Sequence, residues 1–544
     1  MPTKIEWQGL AERAVRIPTE ADNLRGLSAN ADFLFYVKSP AGFYGRGSNG
    51  SPVLFAFDIK ARRESVLLAG VGGYTLAPDG GTILTNSGGF KLLDARPGAA
   101  PRAVRTDGLR ADRIPALEWA EIYSEVWRKY RDFFYVRNMH GYNWDALGAQ
   151  YRALLPHVAH RFDLSYVLTE LISELNIGHA YITGGDYHRP HRARAGLPGA
   201  VFTIDTRANL YRIAKIHRGQ NEEPRYRSPL TEPGVDARVG DYVLEVDGVP
   251  LTATENIYSR LRNRSEPVTL TLNAKPTAQG ARKTTYVPLD SEASLRYLGV
   301  VLANYDYVKR KTGGRVGYLH IPDMGGPGAY EFIKWYYPQI RKEGLVIDAR
   351  GNRGGNISQW LIMRLNQKLL GTRFGGPARS ADAYPALARH GSQVCLINEN
   401  AGSDGDIFPW NFRLAGLGPL IGKRTWGGVV GISGVGPLLD GGSVTVPLRG
   451  TNAADGSWVI EGHGVDPDIE VEYGPQSGAA AKDPQLERGI TEVLKRIKSS
   501  PKVWPKRPAD PVKTKAIYAK PATVSGKQPA KQPATQPAKQ PAKK

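Results

Sequence analysis

The chain has 544 residues and a formal net charge of +20, with 72 lysines and arginines against 52 aspartates and glutamates. Its length predicts three or four domains of about 100–200 residues each. No apolar run reaches the roughly 18–20 residues that cross a bilayer, which excludes a membrane-spanning helix. A single cysteine, Cys395, excludes an internal disulfide and fits a reducing compartment.

The positive charge is concentrated at the C-terminal end. Residues 501–544 contain ten lysines and one arginine but only one aspartate, so this segment carries a net charge of +10, half of the total. The repeat GKQPAKQPATQPAKQPAKK has too few apolar side chains to fold, so residues 501–544 are predicted to be a disordered basic tail. We interpret it as a solvated tether. A nucleic-acid-binding arm is the disfavoured alternative, because no aromatic side chain follows Tyr518.

Residues 1–112 alternate short apolar runs with Asp-Gly and Gly-Gly turns at steps of about 8–12 residues, which indicates antiparallel β structure. The spacing predicts a partial β-propeller-like domain of about two blades, too little for a closed propeller.

Residues 113–190 are predicted to form a small helical domain. One apolar face runs along LEWAEIYSEVWRKYRDFFY at helical spacing, from Trp119 to Tyr130. Asn143 and Asp163 stand where N-caps precede two further helices.

Residues 191–290 return to short strands, and PGVDARVGDYVLEVDGVPL resembles the middle of PDZ domains, which bind peptide ends at a sheet edge. A β-rich spacer is the alternative. In 291–500, the runs RVGYLHI, GLVIDAR, QVCLINEN and PLIGKRT alternate with helical stretches, which predicts a largely parallel sheet in an α/β core. The predicted fold class is therefore multidomain α+β with a disordered tail.

Two strand ends of the α/β core could carry chemistry. The glycine-rich turn ARGNRGGN follows one strand, and NENAGSDGDIF places Ser403 at a strand-to-helix turn. No Gly-Lys-Ser/Thr follows the glycines, so a phosphate-binding loop is excluded. Ser403 taken alone fits an ordinary N-cap better than a nucleophile, and nothing in composition selects its base among ten histidines.

At these residues the sequence resembles the tricorn protease family, a branch of the tail-specific and C-terminal processing serine peptidases. The resemblance covers residues 113–495 and is densest in NENAGSDGDIF, LIGKRTWGGVVGI and EGHGVDPDIEVE. It implies an α/β catalytic core of the tail-specific protease type, with Ser403 as nucleophile, His179 as base and Glu461 as its carboxylate partner.

The resemblance also implies an oxyanion hole formed by the backbone N–H groups of Asp404 and Gly355, although the glycine-rich turn can align one residue either way. Related proteases use a lysine instead of a histidine. Here Gly428 occupies the position of that lysine and Lys423 does not match it, which favours the histidine mechanism.

One position departs from the pattern of the family. A serine that bridges the histidine and the glutamate is replaced by Gly178. Glu461 is therefore expected to reach His179 directly or through water.

The sequence and the resemblance together predict a serine-type endo- or oligopeptidase that hydrolyses short or unfolded peptides through an acyl-enzyme. Neither a cofactor nor a metal is expected. The expected partners are peptide substrates and further copies of the chain, for which the resemblance implies a hexamer. Neither a membrane nor nucleic acid is expected. The start of the sequence does not read as a signal peptide, so the cytoplasm is the expected compartment. A periplasmic or secreted protein is the alternative if the N-terminus is truncated, and a catalytically silent PDZ-containing peptide binder is the alternative function.

Overall fold

The computed structural model describes residues 5–41, 50–110, 112–190, 192–375, 381–479, 482–511 and 513. Two four-stranded antiparallel sheets occupy its N-terminal region. Their strands are Asn23–Ala29, Phe33–Ser39, Val53–Asp58 and Arg63–Ala69, then Gly73–Leu76, Thr82–Asn86, Phe90–Asp94 and Arg102–Ala103. Alternate apolar side chains of both sheets pack into one core, which includes Phe35, Leu54 and Ile83. The predicted two blades of antiparallel β structure are confirmed.

Three helices follow, Pro115–Phe133, Trp144–Arg152 and Arg161–Ser173, with short 3-10 turns at Met139–Gly141 and Leu155–His157. The apolar face predicted for the first helix is confirmed, since Ile122, Tyr123, Val126 and Tyr130 are buried. The core that they enter also contains side chains from a hairpin of two much later strands, Gly431–Pro437 and Ser443–Arg449. That hairpin pairs with the short strand Ile182–Thr183.

The two predicted N-caps differ in outcome. Asn143 caps its helix, because its side chain accepts a hydrogen bond from the backbone N–H of Ala146 (3.0 Å). The prediction for Asp163 is wrong: the cap is His160, and Asp163 is the third helical residue, whose carboxylate accepts the His160 N–H (2.8 Å). An acidic residue at this position of a capping box stabilises the start of the helix by accepting the backbone N–H of the N-cap residue.

A six-stranded antiparallel sheet covers the region that was predicted to resemble a PDZ domain. Its strands are Ala200–Asp205, Leu210–Ile216, Tyr242–Val246, Val249–Pro250, Val268–Asn273 and Arg282–Tyr286, with a short helix Ile257–Arg260 and 3-10 turns Pro224–Tyr226 and Pro229–Thr231. Branched and aromatic side chains from alternating positions form its core, which includes Val243, Leu270 and Tyr286.

A five-stranded parallel sheet forms the centre of the α/β region, as predicted. Its strands lie in the order Val316–His320, Gly344–Asp348, Ser392–Ile397, Leu420–Gly422 and Ile469–Glu470. The helices of this region are Ala293–Lys311, Gly326–Tyr336, Ser358–Leu365, Asp404–Leu414, Pro475–Ala479 and Pro484–Ser499, with a 3-10 turn at Tyr337–Gln339. Apolar cores on both faces explain why these strands are mostly apolar.

The remaining strands are a short antiparallel pair, Gly371–Arg373 and Asp382–Tyr384. After the last helix, residues 501–511 and 513 contain neither helix nor strand. The rest of the predicted disordered tail lies outside the described residues. Among the residues that are described, no helix is long and apolar enough to cross a membrane.

Candidate active site

Ser403 lies where the buried strand Ser392–Ile397 turns into the helix Asp404–Leu414. Its backbone has φ 59° and ψ −124°, a conformation that is costly for a residue with a side chain. Although Ser403 occupies the N-cap position, its side chain makes no capping hydrogen bond. The ordinary N-cap interpretation therefore fails, and the hydroxyl stands at a strained strand-to-helix turn, where nucleophilic serines are placed.

Ser403 and His179 line the same cavity, which has a volume of about 290 Å³. The other residues of its wall are Tyr181, Arg353, Glu399, Asn400, Gly402 and Trp426. The side chains of Ser403 and His179, both among the described residues, make no hydrogen bond to each other. Contacts between a nucleophile and its base are often long before substrate binds, so this geometry is compatible with the predicted pair.

The ring of His179 is held in one orientation. Its Nδ1 lies 2.9 Å from the carbonyl oxygen of Val430, and the residue is only 8 % exposed. A carbonyl oxygen can only accept, so Nδ1 carries a hydrogen, and in the neutral ring the lone pair is on Nε2. Tyr181 and Trp426 meet the ring edge-to-face, with centroid distances of 5.7 and 5.9 Å. The base is therefore preset in the tautomer that accepts a proton at Nε2.

Glu461 is joined to His179 through backbone, and among the described residues its carboxylate makes no direct hydrogen bond to the imidazole. Its Oε2 accepts the N–H groups of Val429 and Val430, each at 2.7 Å. The carbonyl of the same Val430 accepts His179 Nδ1. The other carboxylate oxygen, Oε1, is buried and has no partner among the described residues. Glu461 thus fixes the main chain that orients the imidazole.

The glycine-rich turn packs directly on the turn that carries Ser403. A Cβ at Gly354 would lie 2.5 Å from the Cβ of Ser403. Gly355 has φ +149°, and a Cβ there would lie 2.1 Å from the carbonyl oxygen of Met324. Because both clashes are with rigid atoms, only glycine fits these two positions.

Two backbone N–H groups beside Ser403 are free to bind an oxyanion. In the glycine-rich turn, the N–H of Gly354 donates to a side-chain oxygen (3.0 Å) and that of Asn356 to a carbonyl oxygen (2.8 Å). Among the described residues, no acceptor faces the N–H of Gly355 or that of Asp404. The sequence leaves Gly354, Gly355 and Asn356 open as the second oxyanion donor. Of these three residues, Gly355 is the one whose backbone N–H is free.

The side chain of Asp404 ties these two turns together. Its carboxylate accepts the backbone N–H of Ser358 (2.9 Å) and also the Ser358 hydroxyl. Burial raises the pKa of this carboxyl above its usual range, and the bonds from Ser358 oppose the rise. Ser358 begins the helix after the glycine-rich turn, so Asp404 holds that helix against the one that follows Ser403.

Neither Gly428 nor Lys423 can supply the base of a lysine mechanism. A Cβ at Gly428 would lie 2.3 Å from the ring of Trp426, so a side chain there requires the indole to move. Lys423 is bound in ion pairs with Glu470 (2.6 Å) and Glu472 (2.7 Å) and does not line the cavity of Ser403.

Sequence reasoning missed Trp426. Its indole covers three glycines, since a Cβ at Gly178, Gly402 or Gly428 would lie 3.2, 2.6 or 2.3 Å from ring atoms. The ring is 45 % exposed and forms part of the cavity wall. The only signal for it in the sequence was its place beside the pair Gly427-Gly428. Its role depends also on Gly178 and Gly402, which lie far away in the sequence, so their proximity could not be predicted from spacing.

Two larger cavities adjoin the one at Ser403. One of about 680 Å³ shares Glu399 and Asn400 with it, and another of about 510 Å³ shares Glu399 and Trp426. Within the described ranges, no group of three or more histidine, cysteine, aspartate or glutamate side chains is arranged to hold a metal ion.

Comparison with known families agrees with this architecture. Residues 315–471 match the model of peptidase family S41, residues 115–173 that of the tricorn protease C1 domain, and residues 196–291 that of the tricorn protease PDZ domain. These matches place the chain in the S41 class of peptidases. Within that class, it belongs to the tricorn protease family.

Individual relatives extend the match over most of the chain. Tricorn protease homolog 1 of Streptomyces coelicolor is 34% identical over 522 residues, which are 92% of this chain and 48% of that protein. The tricorn protease of Thermoplasma acidophilum is 32% identical over 474 residues, 86% of this chain and 43% of that protein. A crystal structure of the tricorn protease superposes with a TM-score of 0.82 at 29% identity, covering 92% of this chain and 49% of that one. The chain thus spans about half the length of these relatives.

Proposed function

We propose that this chain is a serine peptidase that hydrolyses short or unfolded peptides through an acyl-enzyme on Ser403. The observation that carries the proposal is the shared cavity, in which Ser403, at a strained turn, and His179, with a preset Nε2 lone pair, face the same space. Membership of the tricorn protease family supports the same chemistry.

In the proposed first step, the Ser403 hydroxyl attacks the carbonyl carbon of a peptide bond. His179 Nε2 takes the hydroxyl proton as the Oγ–C bond forms, and the carbonyl oxygen becomes an oxyanion. The free N–H groups of Asp404 and Gly355 are the donors for that oxygen, at the start of a helix whose dipole also favours negative charge. The imidazolium then gives its proton to the leaving amine as the C–N bond breaks.

In the second step, water repeats the sequence on the acyl-enzyme. His179 takes a proton from the water, the hydroxide attacks the ester carbonyl, and the proton returns to Ser403 Oγ as the acid product leaves. Glu461 supports both steps through Val430, whose carbonyl keeps the imidazole in one orientation.

The space around Ser403 fits an extended peptide. The cavity at the nucleophile holds about 290 Å³, enough for one side chain, and the adjoining cavities of about 680 and 510 Å³ leave room on two sides of it. A folded domain would not enter these spaces, which is why we propose short or unfolded substrates.

Labelling with a fluorophosphonate probe tests the proposal. The full chain at pH 7.5 should form one covalent adduct, located on Ser403 by peptide mass mapping. Ser403→Ala should abolish the adduct, and Ser433→Ala, a change at an exposed serine of the hairpin, should leave it intact. Failure of the intact protein to label would overturn the proposal in favour of a silent binder that uses its PDZ domain.

The proposal also covers the oligomeric state of the protein and its cellular compartment. Family membership supports a homo-oligomer, with a hexamer as the specific expectation, and the single buried cysteine fits a reducing cytoplasm. Sedimentation velocity on the full chain tests the oligomeric state, because a hexamer would have a mass of about 360 kDa (six chains of 59.4 kDa). Cell fractionation tests the compartment.

A further inference from the structure

One buried carboxylate next to the nucleophile has no part in the steps above. Asp406 lies three residues after Ser403 on the same helix, and none of its surface is exposed. Its Oδ1 accepts the backbone N–H of Gly427 at 2.9 Å. The Thr425 hydroxyl interacts with this carboxylate, but no hydrogen bond of normal geometry reaches Oδ2. A carboxylate buried in this way is costly, so a function for it is worth seeking.

The partner of Asp406 belongs to a segment that contacts both proposed catalytic residues, Ser403 through its main chain and His179 through its ring. This bridging segment is residues 426–430. The carbonyl oxygen of Gly428 accepts the backbone N–H of Ser403 (2.9 Å), and the carbonyl oxygen of Val430 accepts His179 Nδ1 (2.9 Å). The distance between nucleophile and base is therefore set by two carbonyl groups, two residues apart on one short piece of main chain.

Two carboxylates hold this bridging segment, one near each end. Asp406 binds the N–H of Gly427, and Glu461 binds the N–H groups of Val429 and Val430. We propose that Asp406 is a positioning residue of the peptidase, which with Glu461 fixes the bridging segment and thereby the spacing of Ser403 and His179. This inference rests on the proposed function, to which it adds a residue.

The composition of the bridging segment explains why it needs such anchors. Gly427 and Gly428 are adjacent, and glycines leave the main chain free to take other conformations. Gly427 has φ +91°, and a Cβ there would lie 2.5 Å from the backbone nitrogen of Gly464, so no side chain can fix this point from within. Hydrogen bonds from outside are the remaining means. The N–H of Gly462 binds the carbonyl oxygen of Gly427 (2.8 Å), and Asp406 binds its N–H from the helix that starts after the nucleophile.

Steady-state kinetics on the full chain with a peptide substrate test the role of Asp406. Asp406→Ala removes the acceptor of Gly427, and it should lower kcat about 10- to 100-fold while KM changes less than about threefold, because displacements of about 1 Å cost this much in rate. Asp406→Asn retains an oxygen for the same N–H and should recover kcat to within about fivefold of the unchanged chain. Because asparagine has nearly the same shape as aspartate, this recovery separates the acceptor oxygen from the negative charge. The fall in kcat without a matching change in KM in Asp406→Ala is the part that a role in packing alone does not predict.

A matched variant separates positioning from loss of stability. Asp440 is another aspartate whose side chain is almost fully buried, and its carboxylate pairs with Arg161 at 2.5 Å at the far end of the hairpin that follows the bridging segment. Asp440→Asn should lower the melting temperature and keep kcat within about twofold. The inference is overturned if Asp406→Ala keeps kcat within threefold, or if Asp440→Asn loses kcat to the same degree as Asp406→Ala. Either result, together with fluorophosphonate labelling of the unchanged chain, would leave the proposed function standing, whereas absence of that labelling would remove both.

Discussion

The indole of Trp426 lies over Gly178, where an added Cβ would stand 3.2 Å from Cζ2 of the ring. This contact is tighter than normal van der Waals distance and involves one edge of a half-exposed ring, so a small shift of the indole could relieve it. The site thus combines a small residue before the histidine with a large one that covers it.

We therefore expect Gly178→Ser to fold, with a free energy of unfolding lower by about 1 kcal/mol. In a Gly178→Ser, Trp426→Ala double variant the loss should be smaller than the sum of the two single losses, because the crowding is removed. Urea unfolding of the four proteins measures the coupling. Gly434→Ser is the control, since no atom lies within 4 Å of its Cβ position, and it should show no coupling with Trp426→Ala.

Glu461 acts on His179 through main chain, which predicts graded effects of its replacement. Glu461→Ala leaves the N–H groups of Val429 and Val430 without their acceptor, and kcat should fall about 100-fold, or roughly 2.7 kcal/mol in the barrier. Glu461→Gln keeps an oxygen for both groups and should lose about tenfold. Equal losses in the two variants, measured as kcat on one peptide substrate, would contradict the backbone route.

Gly355 is expected to tolerate no side chain. In Gly355→Ala the new Cβ would meet the carbonyl oxygen of Met324, and relief would rotate the free N–H away from Ser403. We expect kcat to fall about 100- to 1000-fold, the usual effect of losing one oxyanion donor. Gly351→Ala is the matched control, because its φ is +66° but nothing lies within 4 Å of its Cβ position. That variant should cost about 1–2 kcal/mol of stability and keep kcat within threefold.

Local patterns in the sequence predicted much of the fold. The helical spacing from Trp119 to Tyr130 identified the buried face of the first helix, and continuous apolar runs identified four strands of the parallel sheet. These features depend on near neighbours, which spacing records. The N-cap at His160 was not predicted, because histidine is a rare N-cap residue, whereas aspartate, the residue at 163, is a common one.

The links between distant segments could not be predicted in this way. The hairpin of residues 431–449 completes the core of helices more than 250 residues earlier, and its hydrophobic residues do not reveal which helices they contact. The link from Glu461 to His179 uses the N–H and carbonyl groups of Val430, which every residue but proline possesses. Family resemblance supplied the candidate side chains, and only the structure relates them through shared main chain.

The buried carboxylate of Asp406 also predicts how stability changes with pH. Burial raises its pKa to about 6 from an ordinary 3.8, and the charge of Glu461 adds to the rise. Between these two values the folded chain keeps a proton that the unfolded chain has released, so this group makes stability fall as pH rises from about 4 to about 6. The full effect is on the order of 3 kcal/mol at neutral pH.

Asp406→Asn removes the titration, and its melting temperature relative to the unchanged chain should therefore be higher at pH 7.5 than at pH 4. Calorimetric scans of both proteins at the two values measure this difference, so that groups common to both cancel. A difference in melting temperature that is the same at pH 4 and pH 7.5 would mean that Asp406 does not titrate in this range. Together with the loss of kcat expected for Asp406→Ala, this result would show that the residue that positions the bridging segment lowers the stability of the fold at neutral pH, as is common for groups that serve a site.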